Sequence, residues 1–158
     1  SDATAYPGTN TLITTGTITS GIWNSQRLFT KQTDENGIMG DYVTFGGEIV
    51  TVPGLIYYYY NGAWALANAA TVDTGQYFLA VAMGESTSSG MMIRGMVGML
   101  AYDAGDDGDV LYLSDLANGK ATSVVPTASA AIVRVIGYAL DDSPSLWFNP
   151  DNTWVELT

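Results

Sequence analysis

Strand-like runs recur along most of this 158-residue chain, and each one ends at a turn signal. Examples lie at residues 110–113, 121–124 and 131–140, whose starts are 11 and 10 residues apart, within the roughly 8–12 residues typical of sandwiches and barrels. No window shows apolar residues at helical spacing between helix caps. The sequence therefore predicts an all-β protein, an antiparallel sandwich or small barrel of jelly-roll type.

The clearest local signal is an Asn-Gly pair at residues 61–62, which lies between two apolar runs. Asn-Gly is the preferred centre of a two-residue type I′ hairpin. That turn sets a register in which Tyr60 faces Ala63 and Tyr59 faces Trp64, with aromatic side chains on both faces. The hairpin is therefore expected to lie between two packed layers, or to present one face to another chain.

Residues 1–33 differ from the rest because Thr, Ser, Gly and Asn dominate and apolar residues stand singly. We predict an extended N-terminal arm that packs, through Ile18, Ile22 and Trp23, on its own body or on a neighbour. A plain disordered terminus is the other interpretation. Residues 34–158 form the predicted β body, which could divide into two small subdomains near residues 101–109.

Charge and composition exclude several classes of function. The chain has 5 Lys and Arg against 16 Asp and Glu, a formal net charge of −11, which argues against binding nucleic acid or an anionic membrane. It has no His and no Cys, so it lacks the commonest general base, a thiol nucleophile and a Cys/His zinc site. Its richest apolar stretch, residues 91–100, is too short to span a membrane. We expect no cofactor.

Carboxylates are plentiful, but most of them lie in turns and none has an apolar context that would raise its pKa. The acidic turn at residues 103–109 has two interpretations, a Ca²⁺ site or an ordinary solvated turn. Its oxygen donors are Asp103, Asp106, Asp107 and Asp109. We identify no catalytic residue, so the sequence predicts that the protein is not an enzyme.

Two arginines and two tyrosines are candidate interface residues. Arg94 and Arg134 are embedded in apolar strands, where a buried guanidinium is costly unless it is paired. Each either faces outward, finds a partner within the chain, or pairs across subunits; the last is the expectation that makes them interface candidates. Tyr58 and Tyr60 suit stacking on a glycan, and equally suit the core.

Several segments resemble structural proteins of tailed phages. Residues 16–24 read GTITSGIWN and resemble the GTITSGxWN element common in phage fibre proteins. A larger set is similar to a β domain that recurs in tailed-phage virion proteins: residues 90–97, 108–114, 121–122, Pro126, 132–140, 146–150 and 154–157. The resemblance covers about two thirds of the chain and brings no catalytic residues with it.

The resemblance implies a virion structural protein. One expected role is a capsid decoration or cement protein that stabilises the head shell. The alternative is the tip of a tail fibre, head fibre or spike that binds a host-surface receptor. Either role implies a homo-oligomer, expected to be a trimer, located in the virion. Its expected partners are the major capsid protein or tail proteins, and a host-surface glycan.

Overall fold

A computed structural model describes residues 38–98, 106–140 and 145–158, and it confirms the all-β prediction. The described elements, in chain order, are β1 Ile38–Val43, β2 Ile56–Tyr60, β3 Ala63–Leu66, α1 Val72–Gly75, β4 Phe78–Ala82, a 3₁₀ turn Thr87–Ser89, β5 Met91–Gly98, β6 Val110–Leu113, β7 Ala121–Thr122, β8 Ile132–Val133, β9 Val135–Ala139, β10 Ser145–Phe148 and β11 Val155–Glu156. The predicted arm, residues 1–33, lies outside the described residues.

Nine of the strands form one antiparallel sheet in the order β3-β2-β4-β5-β10-β9-β6-β7, with β1 added against β5. The sheet curls into a half-barrel, whereas the sequence left a sandwich and a small barrel open. Strands β8 and β11 pair separately. β5 lies at the centre of the sheet. Along one of its edges β4 pairs with its first residues and β10 with its last, and β1 pairs along its other edge.

The β2–β3 hairpin forms with the predicted register. Tyr60 pairs with Ala63 and Tyr59 pairs with Trp64. Asn61 and Gly62 have φ of 48° and 83°, the left-handed values that a type I′ turn requires at both central positions. The local sequence signal was sufficient here because the turn itself fixes the pairing.

The larger core lies on one face of the sheet, which we call the inner face. Its largest members come from both sides of residues 99–105: Ile56, Leu79, Val81, Met92, Val97, Leu111, Leu113, Ile132, Ile136, Leu146 and Phe148. Main-chain bonds join the two ends of the curled sheet, since the amide of Ile56 donates to Gly119 (2.8 Å) and that of Ala69 donates to Ser114 (2.9 Å). The inner face is thereby wrapped by strands from the whole described chain.

A second, smaller core covers part of the opposite, outer face. Tyr57, Trp64 and Met91 are buried there beneath side chains of the segment that follows β1, including Ile49. The indole Nε1 of Trp64 donates to the carbonyl of Phe45 at 2.6 Å. The face of the hairpin that carries Tyr57 and Trp64 is therefore covered by a second layer, whereas Tyr60 on its other face is exposed.

Close backbone contact between β9 and β10 depends on a glycine. Gly137 pairs with Phe148, and a Cβ on Gly137 would overlap the carbonyl oxygen of Trp147. A side chain there would force the two strands apart in the middle of the sheet. Gly108, which also has a left-handed φ (+88°), has nothing within 4 Å of such a Cβ.

We predict that Gly137→Ala lowers the free energy of unfolding by about 3 kcal/mol, because the added methyl group meets main-chain atoms that cannot move without breaking the ladder. Gly108→Ala is the matched control and should cost about 1 kcal/mol, from backbone strain alone. Urea denaturation of both variants measures the difference. Equal losses would contradict the close approach of β9 and β10.

Candidate functional site

The acidic turn is held by its own hydrogen bonds over the part that the structure describes. The amide of Asp106 donates to Asp109 Oδ2 (3.0 Å), and the amide of Asp109 donates to the carbonyl of Asp106 (3.0 Å). Asp107 is exposed beside them, and Asp103 lies outside the described residues. Across the described ranges, no group of three or more carboxylates is placed to hold a metal ion.

No helix in the part of the chain that the structure describes has the length and apolarity needed to cross a membrane.

Three tyrosines stack near the turn of the hairpin, and we call them the tyrosine stack: Tyr58, Tyr60 and Tyr77. The ring of Tyr77 lies 4.4 Å from that of Tyr60 and 5.8 Å from that of Tyr58, measured between centroids. Tyr60 is 56% exposed. Ala63 and Ala65 pair with the tyrosines of β2 on this face, so small side chains lie beside the rings. Two of the sequence candidates, Tyr58 and Tyr60, are thus brought together.

A second aromatic cluster stiffens the other side of the same hairpin. The ring of Phe45 meets that of Tyr59 edge-on at 5.0 Å and stacks with that of Trp64 at 5.9 Å. Phe78 stacks on Phe45 at 6.5 Å and is 45% exposed. Such ring pairs add about 0.5–1.5 kcal/mol each beyond the area that they bury. The tyrosine stack therefore lies on a hairpin whose opposite face is packed with aromatic rings.

The pKa of the Tyr77 hydroxyl is raised above the usual value for tyrosine. The largest cause is the partial removal of the hydroxyl from water, and the negative charges of ionised Tyr60 and of Asp73 add to it. Below the ordinary tyrosine pKa both the folded and the unfolded chain hold this proton. Stability linked to Tyr77 is therefore lost as the pH rises through its folded pKa.

Arg134 is buried and finds partners within its own chain, which is the second of the three alternatives that the sequence left open. The residue is 4% exposed. Its Nε donates to the carbonyl of Asp151 (2.9 Å), and a guanidinium NH₂ nitrogen donates to the carbonyls of Gly75 (2.6 Å) and Tyr77 (2.5 Å). Burial lowers the pKa of Arg134 to about 10, and Asp151 opposes that shift, so the charge persists at neutral pH. Three main-chain carbonyls of its own chain therefore hold this guanidinium inside the molecule.

Arg94 has the opposite placement and remains a surface candidate. It is exposed, its guanidinium carbon lies 5.7 Å from the ring centroid of Trp147, and it pairs in register with Asp41. The β1–β5 register passes over Ile93, so this bulge turns Arg94 onto the outer face. Arg94 and Arg134 both lie within apolar runs of the sequence, and only their positions in the folded sheet show that the first is exposed and the second buried.

Part of the outer face carries a line of apolar side chains that we call the outward row: Met39, Met96 and Trp147. Met96 pairs with Met39 on β1 and with Trp147 on β10, so the three lie side by side across three strands. Their sequence neighbours Ile38, Val97 and Leu146 point to the inner core. All three residues of the row are half-buried, and Arg94 borders them.

Sequence reasoning missed the outward row because residues 91–100 are apolar almost throughout. A continuous apolar run does not indicate which side chains face outward, and the bulge at Ile93 reverses the alternation halfway along β5. The predicted arm contacts Ile18, Ile22 and Trp23 lie outside the described residues. Of the candidates in the described ranges, Tyr58, Tyr60 and Arg94 stand at or near the surface.

Comparison of the chain with protein-family models, with curated proteins and with solved structures finds no match. The candidate surfaces are therefore interpreted from their own geometry.

We predict that Arg134→Met lowers the free energy of unfolding by about 3 kcal/mol or more, because it leaves buried carbonyls without donors. Arg94→Met should change it by about 1 kcal/mol or less, since an exposed cation over a ring contributes little. Urea denaturation of both variants tests the contrast. A small loss for Arg134→Met would show that the guanidinium does not tether the carbonyls of Gly75, Tyr77 and Asp151.

We predict that one tyrosine titrates above the usual tyrosine range and that Tyr77→Phe removes this transition. Near-ultraviolet absorbance as a function of pH measures it. Asp73→Asn should lower the pKa of Tyr77, because it removes one of the negative charges that raise it. Asp115→Asn is a charge-matched control and should leave this transition in place. An unchanged curve in Tyr77→Phe would contradict the assignment.

Proposed function

We propose that this chain is a structural, non-catalytic subunit of a tailed-phage virion that assembles with further copies of itself. The observation that carries the assembly step is the outward row, where Met39, Met96 and Trp147 lie half-buried on the outer face. Burying apolar surface stabilises association by about 25 cal/mol per Å². The resemblance of residues 16–24 and of the C-terminal half to virion proteins supports the virion setting.

The position of the row on the sheet favours side-by-side contact between copies. The row crosses β1, β5 and β10, and among the described strands β1 pairs only with β5. Arg94 and Asp41 flank the row, so a contact centred on it would combine an apolar middle with polar neighbours, as protein interfaces do. Lateral contacts of this kind suit a decoration or cement protein on a capsid shell, assembled as a trimer.

A fibre or spike tip that binds a host-surface receptor is the second candidate, and the tyrosine stack favours it. Tyr60 presents more than half of its side chain to solvent beside small alanines. Exposed rings of this kind stack on the apolar faces of sugars. Copy number in purified particles distinguishes the two roles, since decoration requires copies over the whole shell and a fibre tip requires only a few at the tail. Copies confined to the tail would contradict the decoration role.

We predict that the full chain is a trimer in solution and that Met96→Glu converts it to a monomer, because a charge in the middle of the row would have to be desolvated on assembly. Native mass spectrometry measures the state, and circular dichroism verifies the fold. Met39→Glu, on the edge strand, should act in the same direction. Tyr60→Glu lies away from the row and serves as the control. A wild-type chain that stays monomeric at high concentration would overturn the assembly proposal.

A further inference from the structure

A polar groove lies between β9 and residues 149–152. It has a volume of about 390 Å³, and its lining residues are Val135, Tyr138, Asn149, Pro150, Asp151 and Asn152. Pockets that hold small molecules start at about 300 Å³, so the groove has room for one small ring. None of its lining residues was singled out as a candidate from the sequence, and none belongs to the tyrosine stack or the outward row.

The wall of the groove is held rigidly from beneath. The amide of Asn149 donates to the carbonyl of Ile136 (2.8 Å), and the amide of Asp151 donates to that of Val135 (2.9 Å). The buried Arg134 adds a third bond, to the carbonyl of Asp151 (2.9 Å). These bonds fix residues 149–151 along β9, so little conformational entropy is lost when a ligand binds.

The groove combines one ring with several polar side chains. Tyr138 is 47% exposed. Asn149 and Asn152 are exposed, and each amide both donates and accepts hydrogen bonds. Oδ1 of Asp151 accepts from the amide of Thr153 (3.1 Å), and such bonds lower the pKa of Asp151, so its carboxylate stays ionised and acts as an acceptor.

This combination indicates the chemistry of the ligand. A sugar ring offers C–H groups that stack on an aromatic face and hydroxyls that exchange hydrogen bonds with amides and carboxylates. An anionic ligand would meet the carboxylate of Asp151 on a chain of net charge −11. An apolar ligand would leave the amides of Asn149 and Asn152 without partners.

We propose that this groove is a binding site for one neutral pyranose unit of a glycan. The ring stacks on Tyr138, and its hydroxyls bond to Asn149, Asp151 and Asn152. The site is contained within one chain, so the proposal goes beyond the assembly function and does not depend on it.

The test is isothermal titration of the full chain with the methyl glycosides of glucose, galactose, mannose and N-acetylglucosamine, together with a short neutral oligosaccharide. We expect at least one probe to bind with a dissociation constant of about 1 mM. Tyr138→Ala should weaken that binding by about tenfold or more, because it removes the stacking surface. Asn152→Ala should weaken it as well, and this residue is exposed and lies outside the strands, so the change leaves the core intact.

Tyr60→Ala is the matched control, since it removes an exposed tyrosine from the tyrosine stack. Binding that falls with Tyr60→Ala but not with Tyr138→Ala would overturn the proposal and place the sugar at the stack. Failure of every probe to bind the wild-type chain would also overturn it. Met96→Glu should retain binding even as a monomer, so failure of the assembly proposal and failure of this one are distinguishable.

Discussion

The hydrogen bonds of Arg134 are the interaction on which the rest of the molecule depends. One buried guanidinium holds the carbonyls of Gly75 and Tyr77, just before β4, and the carbonyl of Asp151, after β10. Tyr77 carries the ring at the centre of the tyrosine stack, and Asp151 lies in the wall of the groove. A desolvated cation tolerates this position only when its donors are matched by acceptors. The buried guanidinium of Arg134 therefore fixes the backbone beneath two separate surfaces, the tyrosine stack and the groove.

The outer face is used in two ways, and the division falls on β5. Over the first half of the strand, side chains such as Met91 are covered by the segment that follows β1. Beyond the bulge at Ile93, Arg94 and Met96 point outward at the outward row. The covered half stabilises the monomer, whereas the half-buried outward row is the surface that we propose contacts a second copy. The bulge thus separates the part of the outer face that is buried within the monomer from the part that we propose contacts another copy.

Sequence reasoning succeeded where structure is local and failed where pairing is distant. The Asn61-Gly62 turn alone dictates which residues face each other across the hairpin, so the register was predictable. The different placements of Arg94 and Arg134 depend on partners such as Trp147 and Asp151, which are distant in sequence. The groove was missed for the same reason: the run of polar residues at 149–152 is visible in the sequence, but its docking along β9 is not.

The outward row and the groove are neighbours, and their proximity links the two proposals. Trp147 pairs with Tyr138 across β10 and β9, so the row ends one strand away from the ring that would receive a sugar. A copy packed on the row would therefore lie beside the groove, whose lining includes Tyr138. A single pyranose bound with about millimolar affinity is weak, but sites displayed together on one assembly bind a repeating glycan with much higher avidity. Assembly would therefore supply the affinity that one groove of this size cannot.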